Sequence, residues 1–143
     1  MSYLLDANVL IALLDIEHAH HGRALRFFPT AQREGWATCP LVENAFIRIF
    51  GRPGYPNGPG SSELARQILV QYCATPGHCF LPDDATLRDT GNFSSLPDSK
   101  HLTDLYLLGL AVKHGGRFAT FDAKIDASLI LGGSAAYYLI PTP

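Results

Sequence analysis

The sequence predicts a three-layer α/β/α domain with a mostly parallel central sheet, and three observations carry that prediction. Short apolar segments of strand character alternate with longer segments of helical period, the pattern of a parallel sheet covered by helices. The first pair meets without a linker: Tyr3-Leu4-Leu5, then Asp6, then an apolar run from Val9 to Leu14. The 143 residues contain no internal repeat and no domain linker, so residues 1–143 read as one domain.

Each element follows from its own residues. Tyr3, Leu4 and Leu5 suit a short buried strand. Periodicity does not separate strand from helix in residues 9–14. Asn8 decides for helix, because an Asx residue ahead of an apolar run is a common N-cap. Residues 18–35 read as helix, with Ala24, Leu25, Phe27 and Phe28 on the buried side and Arg23, Arg26 and Arg33 on the wet one. Pro29 is expected to break or kink it. Residues 36–39 are strand-like, and Pro40 fits the first position of a helix reaching Phe50.

Residues 51–60 follow, seven of the ten being Gly or Pro, which predicts a mobile loop. Ser61 or Ser62 caps a helix carrying Leu64, Ala65, Ile68, Leu69 and Tyr72. Residues 78–81 read as a short strand, residues 83–89 as a short helix, and residues 90–99 as turn-rich and unassigned. Thr103 and Asp104 open a helix that ends at His114, closed by Gly115-Gly116. It bears no charge between Leu105 and Val112, as a helix packed on several sides should. Residues 117–121 form a strand ending at Asp122, and residues 136–140 a last strand.

Composition bounds the function classes. Apolar residues at 47% and charged residues at 17% describe a globular core, not a disordered chain. A formal charge of −2 gives no global sign of nucleic-acid binding, so a local basic patch would have to carry it. Cys39, Cys73 and Cys79 are odd in number and lack CxxC spacing, and read as free thiols in a reducing compartment. The start of the chain lacks a basic n-region and a cleavage site, and no apolar run approaches the roughly 20 residues of a membrane span. A cytoplasmic protein is expected.

Four acids stand out by position. Asp6 and Asp122 directly follow apolar strands, while Glu43 and Asp104 sit in first turns of helices. In a parallel sheet those places share one edge, where ligands bind. Glu43 shares a stripe with Phe46, Ile47 and Phe50, and Asp104 with Leu107, Leu108 and Ala111. Charges on an apolar stripe need partners. Two carboxylates about 6 Å apart repel by roughly 3 kcal/mol at an effective dielectric near 20. Either protons are shared or a divalent cation sits among the acids. Oxygen ligands without paired His or Cys suit Mg²⁺ or Mn²⁺, and such a site is hydrolytic. Taken singly, each acid has a plainer reading as a helix-dipole partner or turn former.

The residues also carry a resemblance. Leu4-Leu5-Asp6-Ala7-Asn8, the Glu43 helix with Ile47-Arg48-Ile49, Thr103-Asp104-Leu105-Tyr106-Leu107-Leu108, and Gly115-Gly116-Arg117-Phe118-Ala119-Thr120-Phe121-Asp122 together resemble PIN-domain ribonucleases. The closest likeness is to the VapC-type toxins of bacterial toxin–antitoxin pairs, and it runs in order over almost the whole chain. It includes His18-x-x-His21 and the Leu81-Pro82-Asp83-Asp84 turn. The resemblance implies a PIN-like fold and a Mg²⁺- or Mn²⁺-dependent endonuclease that cuts single-stranded regions of structured RNA and inhibits translation. It further implies a homodimer held inactive by a cognate VapB-type antitoxin. The family's acids map onto Asp6, Glu43, Asp104 and Asp122, with Asp6 and Asp104 as direct metal ligands and the other two completing the shell or orienting water. Asn8, Thr103 and Thr120 are the neighbours expected to support them. Arg23, Arg26, Arg48, Arg52, Arg117 and Lys124 are the candidate phosphate contacts.

Competing readings fare worse. His18, His20 and His21 cluster but lack a fourth ligand nearby, and the cysteines are scattered, which argues against zinc; His18 and His21 read as helix-start and packing residues. Trp36, Phe46, Phe50 and Tyr106 read as core, whereas Tyr55 in the Gly/Pro loop is a candidate RNA or antitoxin contact. A phosphoaspartate phosphatase needs a second Asp where Asn8 stands. A phosphoreceiver needs a lysine after a late strand, and Lys124 lies too close to Asp122. The remaining alternative is a PIN fold that only binds RNA or a partner, with vestigial acids.

Overall fold

The computed structural model describes residues 2–142. Among these, five strands form one parallel sheet in the order β3-β2-β1-β4-β5. The strands are β1 (Tyr3–Leu5), β2 (Trp36–Thr38), β3 (His78–Phe80), β4 (Arg117–Thr120) and β5 (Tyr137–Leu139). The helices are α1 (Ala7–Leu14), α2 (His21–Glu34), α3 (Pro40–Phe50), α4 (Ser62–Cys73), α5 (Leu102–Lys113) and the single turn α6 (Gly133–Ala136). The three-layer α/β/α architecture expected from the sequence is the one observed.

The strand order positions the site. From β1 the chain steps outward through β2 to β3, then returns to the other side of β1 to lay down β4 and β5. Leu4 consequently pairs with Ala37 on one flank and Phe118 on the other. The reversal leaves a crevice beyond the carboxyl ends of β1 and β4, the topological switch point at which open α/β sheets bind ligands. Right-handed crossovers send helices to opposite faces. α1 packs on α2 and α3, and α3 on α4, while α5 packs on β1, β4 and α6. The fully buried Trp36, Phe46, Leu4, Leu5, Leu10, Leu105, Leu108 and Phe118 fill the layers between. Each such large side chain contributes about 1.5–3 kcal/mol relative to exposure.

Several elements differ from expectation for local reasons. α1 starts at Ala7, with Asp6 in the cap position at φ −60°, ψ 147°, so Asn8 lies inside the first turn and faces solvent. The second helix begins at His21, because residues 15–20 form turns instead. Pro29 is accommodated inside α2, on an exposed side of the helix that it shares with Leu25 one turn earlier. Leu25 is thus not a core residue, unlike Ala24, Phe27 and Phe28.

Residues 83–89 form no helix, because side chains tie the segment down piecemeal. Asp83 accepts the Leu41 N–H at 3.0 Å and Asp84 holds His114 at 2.8 Å. The unassigned stretch beyond it is anchored by Phe93, which bridges to Ile130 and lies against Gly109 of α5, where an added Cβ would come within 2.5 Å of its ring.

The Gly/Pro loop is wound into successive turns and pinned by Tyr55. Its ring packs edge-on against Phe50 at 5.3 Å and its hydroxyl donates to Asp15 at 2.6 Å. Burial and the Asp15 carboxylate push the Tyr55 phenol up to about 12. The candidate contact residue is therefore engaged within the fold. Among the described residues, no helix is long and apolar enough to cross a membrane.

Candidate active site

Asp6 stands at the end of β1, Asp122 just past β4, and Asp104 in the first turn of α5. All three meet at the switch point. Asp6 is 9% exposed, and Thr120 donates to its Oδ2 at 2.9 Å. The Thr120 hydroxyl also accepts the Asp122 N–H at 3.1 Å, so one buried hydroxyl ties the two strand ends together. Asp122 in turn accepts the Lys124 N–H at 2.8 Å, and its carbonyl takes the Tyr137 hydroxyl.

The electrostatics are those of crowded carboxylates. Burial raises the Asp6 carboxyl above its ordinary range, and the Asp122 charge adds to the rise. Thr120 and the N–H groups of Ala7 and Asn8 pull the other way, although neither N–H closes a cap bond with the side chain. Asp104 is pushed up to about 7 by burial, by the charge of Asp6 and by a hydrogen bond and charge from Asp122. A protonated Asp104 donates to Asp122, so at neutral pH the cluster retains a proton that solvent-exposed acids would have lost. Thr38 and Thr120 stand fully buried at the ends of neighbouring β2 and β4 positions around β1, and of the two it is Thr120 that serves the aspartates.

Glu43 goes elsewhere. α3 follows β2, one strand away from the crevice, and the Glu43 Oε2 accepts the Thr38 hydroxyl at 2.7 Å. The Thr38 oxygen also meets His78 Nε2 at 2.8 Å. The charges that act on Asp104 are Asp6 and Asp122, whereas Glu43 acts on Cys73 and His78. Sequence placed Glu43 in the right turn of the right helix, but the direction of its side chain followed from tertiary neighbours.

The supporting and basic residues also divide. Thr103 is exposed and lines a hollow of about 270 Å³ with Leu41, Asp83, Leu87, Leu102 and Tyr106. Lys124, next to Asp122, is exposed, as are Arg26, Arg48 and Arg52. Arg23 lies over the Phe121 ring at 4.9 Å and donates to the carbonyls of Ile140 and Pro141, so it clamps the end of the chain to α2. Arg117 opens β4, at the opposite edge of the sheet from the acids, with its guanidinium over Tyr3 at 5.9 Å.

The histidines of the α2 start serve packing. His21 Nδ1 meets the Ala12 carbonyl at 2.6 Å, and His20 stacks on Phe121 at 4.6 Å. The three cysteines are free thiols. Cys39 is buried, and desolvation pushes its thiol up to about 12.

Comparison with known proteins identifies the family. The PIN domain family model matches residues 3–127. Ribonuclease VapC44 of Mycobacterium tuberculosis is 39% identical over 136 residues, covering 94% of this chain and 95% of the relative. Ribonuclease VapC38 of the same organism is 41% identical over 123 residues, covering 85% and 86%. The crystal structure of M. tuberculosis VapC20, described as a sarcin–ricin loop cleaving toxin, superposes with a TM-score of 0.62. At 17% identity, over 91% of this chain and 97% of that one, it speaks for the fold alone. Fold and relatives converge: the chain belongs to the PIN-domain family and, within it, to the VapC ribonucleases.

Proposed function

We propose that this protein is the toxin of a VapBC-type toxin–antitoxin pair, an endoribonuclease dependent on Mg²⁺ or Mn²⁺ that cuts single-stranded regions of structured RNA and thereby inhibits translation. The observation that carries the proposal is the convergence of Asp6, Asp104 and Asp122 at the switch point, with Asp104 pushed up to about 7 by burial and by the other two. An all-oxygen donor set of this kind fits a hard divalent cation. Asp6 and Asp104 would hold the ion, which when bound supplies positive charge to the scissile phosphate and lowers the pKa of attacking water.

The chain's own residues do the rest. Thr120 orients Asp6 and spaces it from Asp122. Asp122 receives the hydrogen bond of protonated Asp104 and would complete the shell or orient the attacking water. Glu43 is assigned an outer role, completing the shell or orienting water once it leaves Thr38, and Asn8 and Thr103 would support the site from the exposed sides of the first turns of α1 and α5. Lys124, Arg26, Arg48 and Arg52 are the exposed cations offered to phosphates. Arg23 and Arg117 serve there only if RNA displaces their present partners.

The whole chain, residues 1–143, works on this reading as one domain in the cytoplasm, as a homodimer silenced by a VapB-type antitoxin. Incubation with a sarcin–ricin-type RNA stem-loop in Mg²⁺ or Mn²⁺, followed by mapping of the new ends, tests it. Cleavage lost in Asp6→Ala and in Asp104→Ala is expected; cleavage unchanged in both refutes the site. RNA bound but uncut by the wild-type chain would leave only the non-catalytic PIN reading.

A further inference from the structure

One strand away from the aspartates lies a second polar cluster of different chemistry. Glu43 of α3, Cys73 at the end of α4 and His78 at the start of β3 bring a carboxylate oxygen, a thiol sulfur and an imidazole nitrogen within 4.8 Å of one another. All three are half-buried, and they border a groove between α3 and α4 that Ile47, Leu69 and Val70 also line. Tetrahedral zinc, with bonds of about 2.0–2.3 Å, holds its ligands roughly 3.5 Å apart, so small rotations would close the set.

The backbone holds two of the three in place. Cys73 and His78 are separated by four residues, a spacing familiar from zinc sites. Between them Gly77 adopts φ +87°, and an added Cβ there would strike the Gln32 carbonyl at 2.3 Å. Trp36 donates its indole N–H to the Pro76 carbonyl at 3.0 Å and packs edge-on against His78 at 4.6 Å. The Thr38 hydroxyl gives its one proton to Glu43, so His78 Nε2 carries the N–H of that contact and Nδ1 the lone pair.

We propose that Glu43, Cys73 and His78 form a binding site for a borderline-soft divalent cation, Zn²⁺ foremost, separate from the aspartate site and leaving a fourth position open. Thiolate and imidazole select such a metal over Mg²⁺, which keeps to oxygen. On binding, the Cys73 S–H bond breaks, its proton goes to solvent and its electron pair forms the bond to zinc. His78 stays neutral, with its single N–H on whichever nitrogen the metal does not take. Carboxylate and thiolate together balance the two positive charges. Occupation ties α3, the end of α4 and β3 together and holds Glu43 away from the aspartates.

The test uses reduced, metal-free full-length protein and Co²⁺ as the probe, without RNA, so it stands apart from the nuclease reading. One equivalent of Co²⁺ should give a thiolate-to-cobalt charge-transfer band and intense tetrahedral visible bands, both displaced by one equivalent of Zn²⁺. Cys73→Ser should abolish the charge-transfer band, and His78→Gln should weaken binding by at least about tenfold. Cys79→Ser should bind as wild type does. Zn²⁺ should raise the melting temperature of the wild type but not of Cys73→Ser, whose metal-free melting curve reports that it folds. A charge-transfer band that survives Cys73→Ser, one that disappears in Cys79→Ser, or no band in the wild type overturns the proposal.

Discussion

The two polar clusters draw on neighbouring strands of one sheet, yet they solve the problem of burying polar groups in opposite ways. At the switch point, Asp6, Asp104 and Asp122 crowd together, and burial, with their mutual charge adding to it, pushes carboxyls upward, Asp104 to about 7. At the β2–β3 corner, Glu43, Cys73 and His78 are of mixed chemistry, and one hydroxyl, Thr38, satisfies Glu43 and His78 together. The contrast teaches that composition alone does not make a reactive site. Like groups without counter-charge remain poised for a ligand, whereas complementary groups can satisfy themselves until a competing metal arrives.

The largest expected effect breaks the comparison outright. Asp104→Ala should lower RNA cleavage at least about a hundredfold, because it removes a proposed ligand itself, where loss of supporting contacts alone costs about 10–100-fold. The same assay on Cys79→Ser, an exposed thiol that belongs to neither cluster, should give wild-type rates. Equal loss in both variants would mean that the assay reads folding and not the site.

The next test sets the two threonines against each other. Thr120→Val strips Asp6 of its hydroxyl partner and frees the Asp122 N–H, and should cost about 1–3 kcal/mol in denaturant unfolding. Thr38→Val leaves Glu43 and His78 beside water, since both are half-buried, and should cost under about 1 kcal/mol. A larger loss for Thr38→Val would reverse the ranking of the two clusters.

A pH series sharpens the contrast. The folded Asp104 carboxyl titrates near 7 against an ordinary 3.8, so between those values the folded protein binds more protons than the unfolded chain. Its contribution to stability is therefore present at low pH and is lost as pH rises through about 7. In metal-free protein, Asp104→Asn should flatten this part of the melting-temperature profile and raise the melting temperature at neutral pH. An unchanged profile would remove the charge crowding from the account.

The smallest effect belongs to Glu43→Gln. Its amide can still accept from Thr38, and metal-free stability should stay within about 0.5 kcal/mol of wild type by denaturant unfolding. A gain as large as that of Asp104→Asn would place Glu43 among the crowded acids after all.

Much of this was legible in the sequence because it depends on neighbours in the chain. The strand–acid–helix start, Ser61 as a cap whose hydroxyl oxygen accepts the Leu64 N–H, and the charge-free run of α5 from Leu105 to Val112 are local patterns, and all stand in the structure. The segment at 83–89 was not, because its contacts to Leu41 and His114 come from 30 or more residues away. Tyr55 looked free for the same reason: its partner, Asp15, is 40 residues distant.

By itself the sequence determined where the five strands and the longer helices lie, that the fold is a parallel α/β layer structure, and which acids stand at strand ends and helix starts. Only the tertiary structure decided that three of those acids share the crevice while Glu43 turns toward Cys73 and His78. The physical reason is the strand order. Asp6 and Asp122 end adjacent strands, β1 and β4, on either side of the reversal, whereas α3 rises from β2, where its side chains meet α4 and β3. Order across a sheet is set by long-range packing, and no local pattern along the chain encodes it.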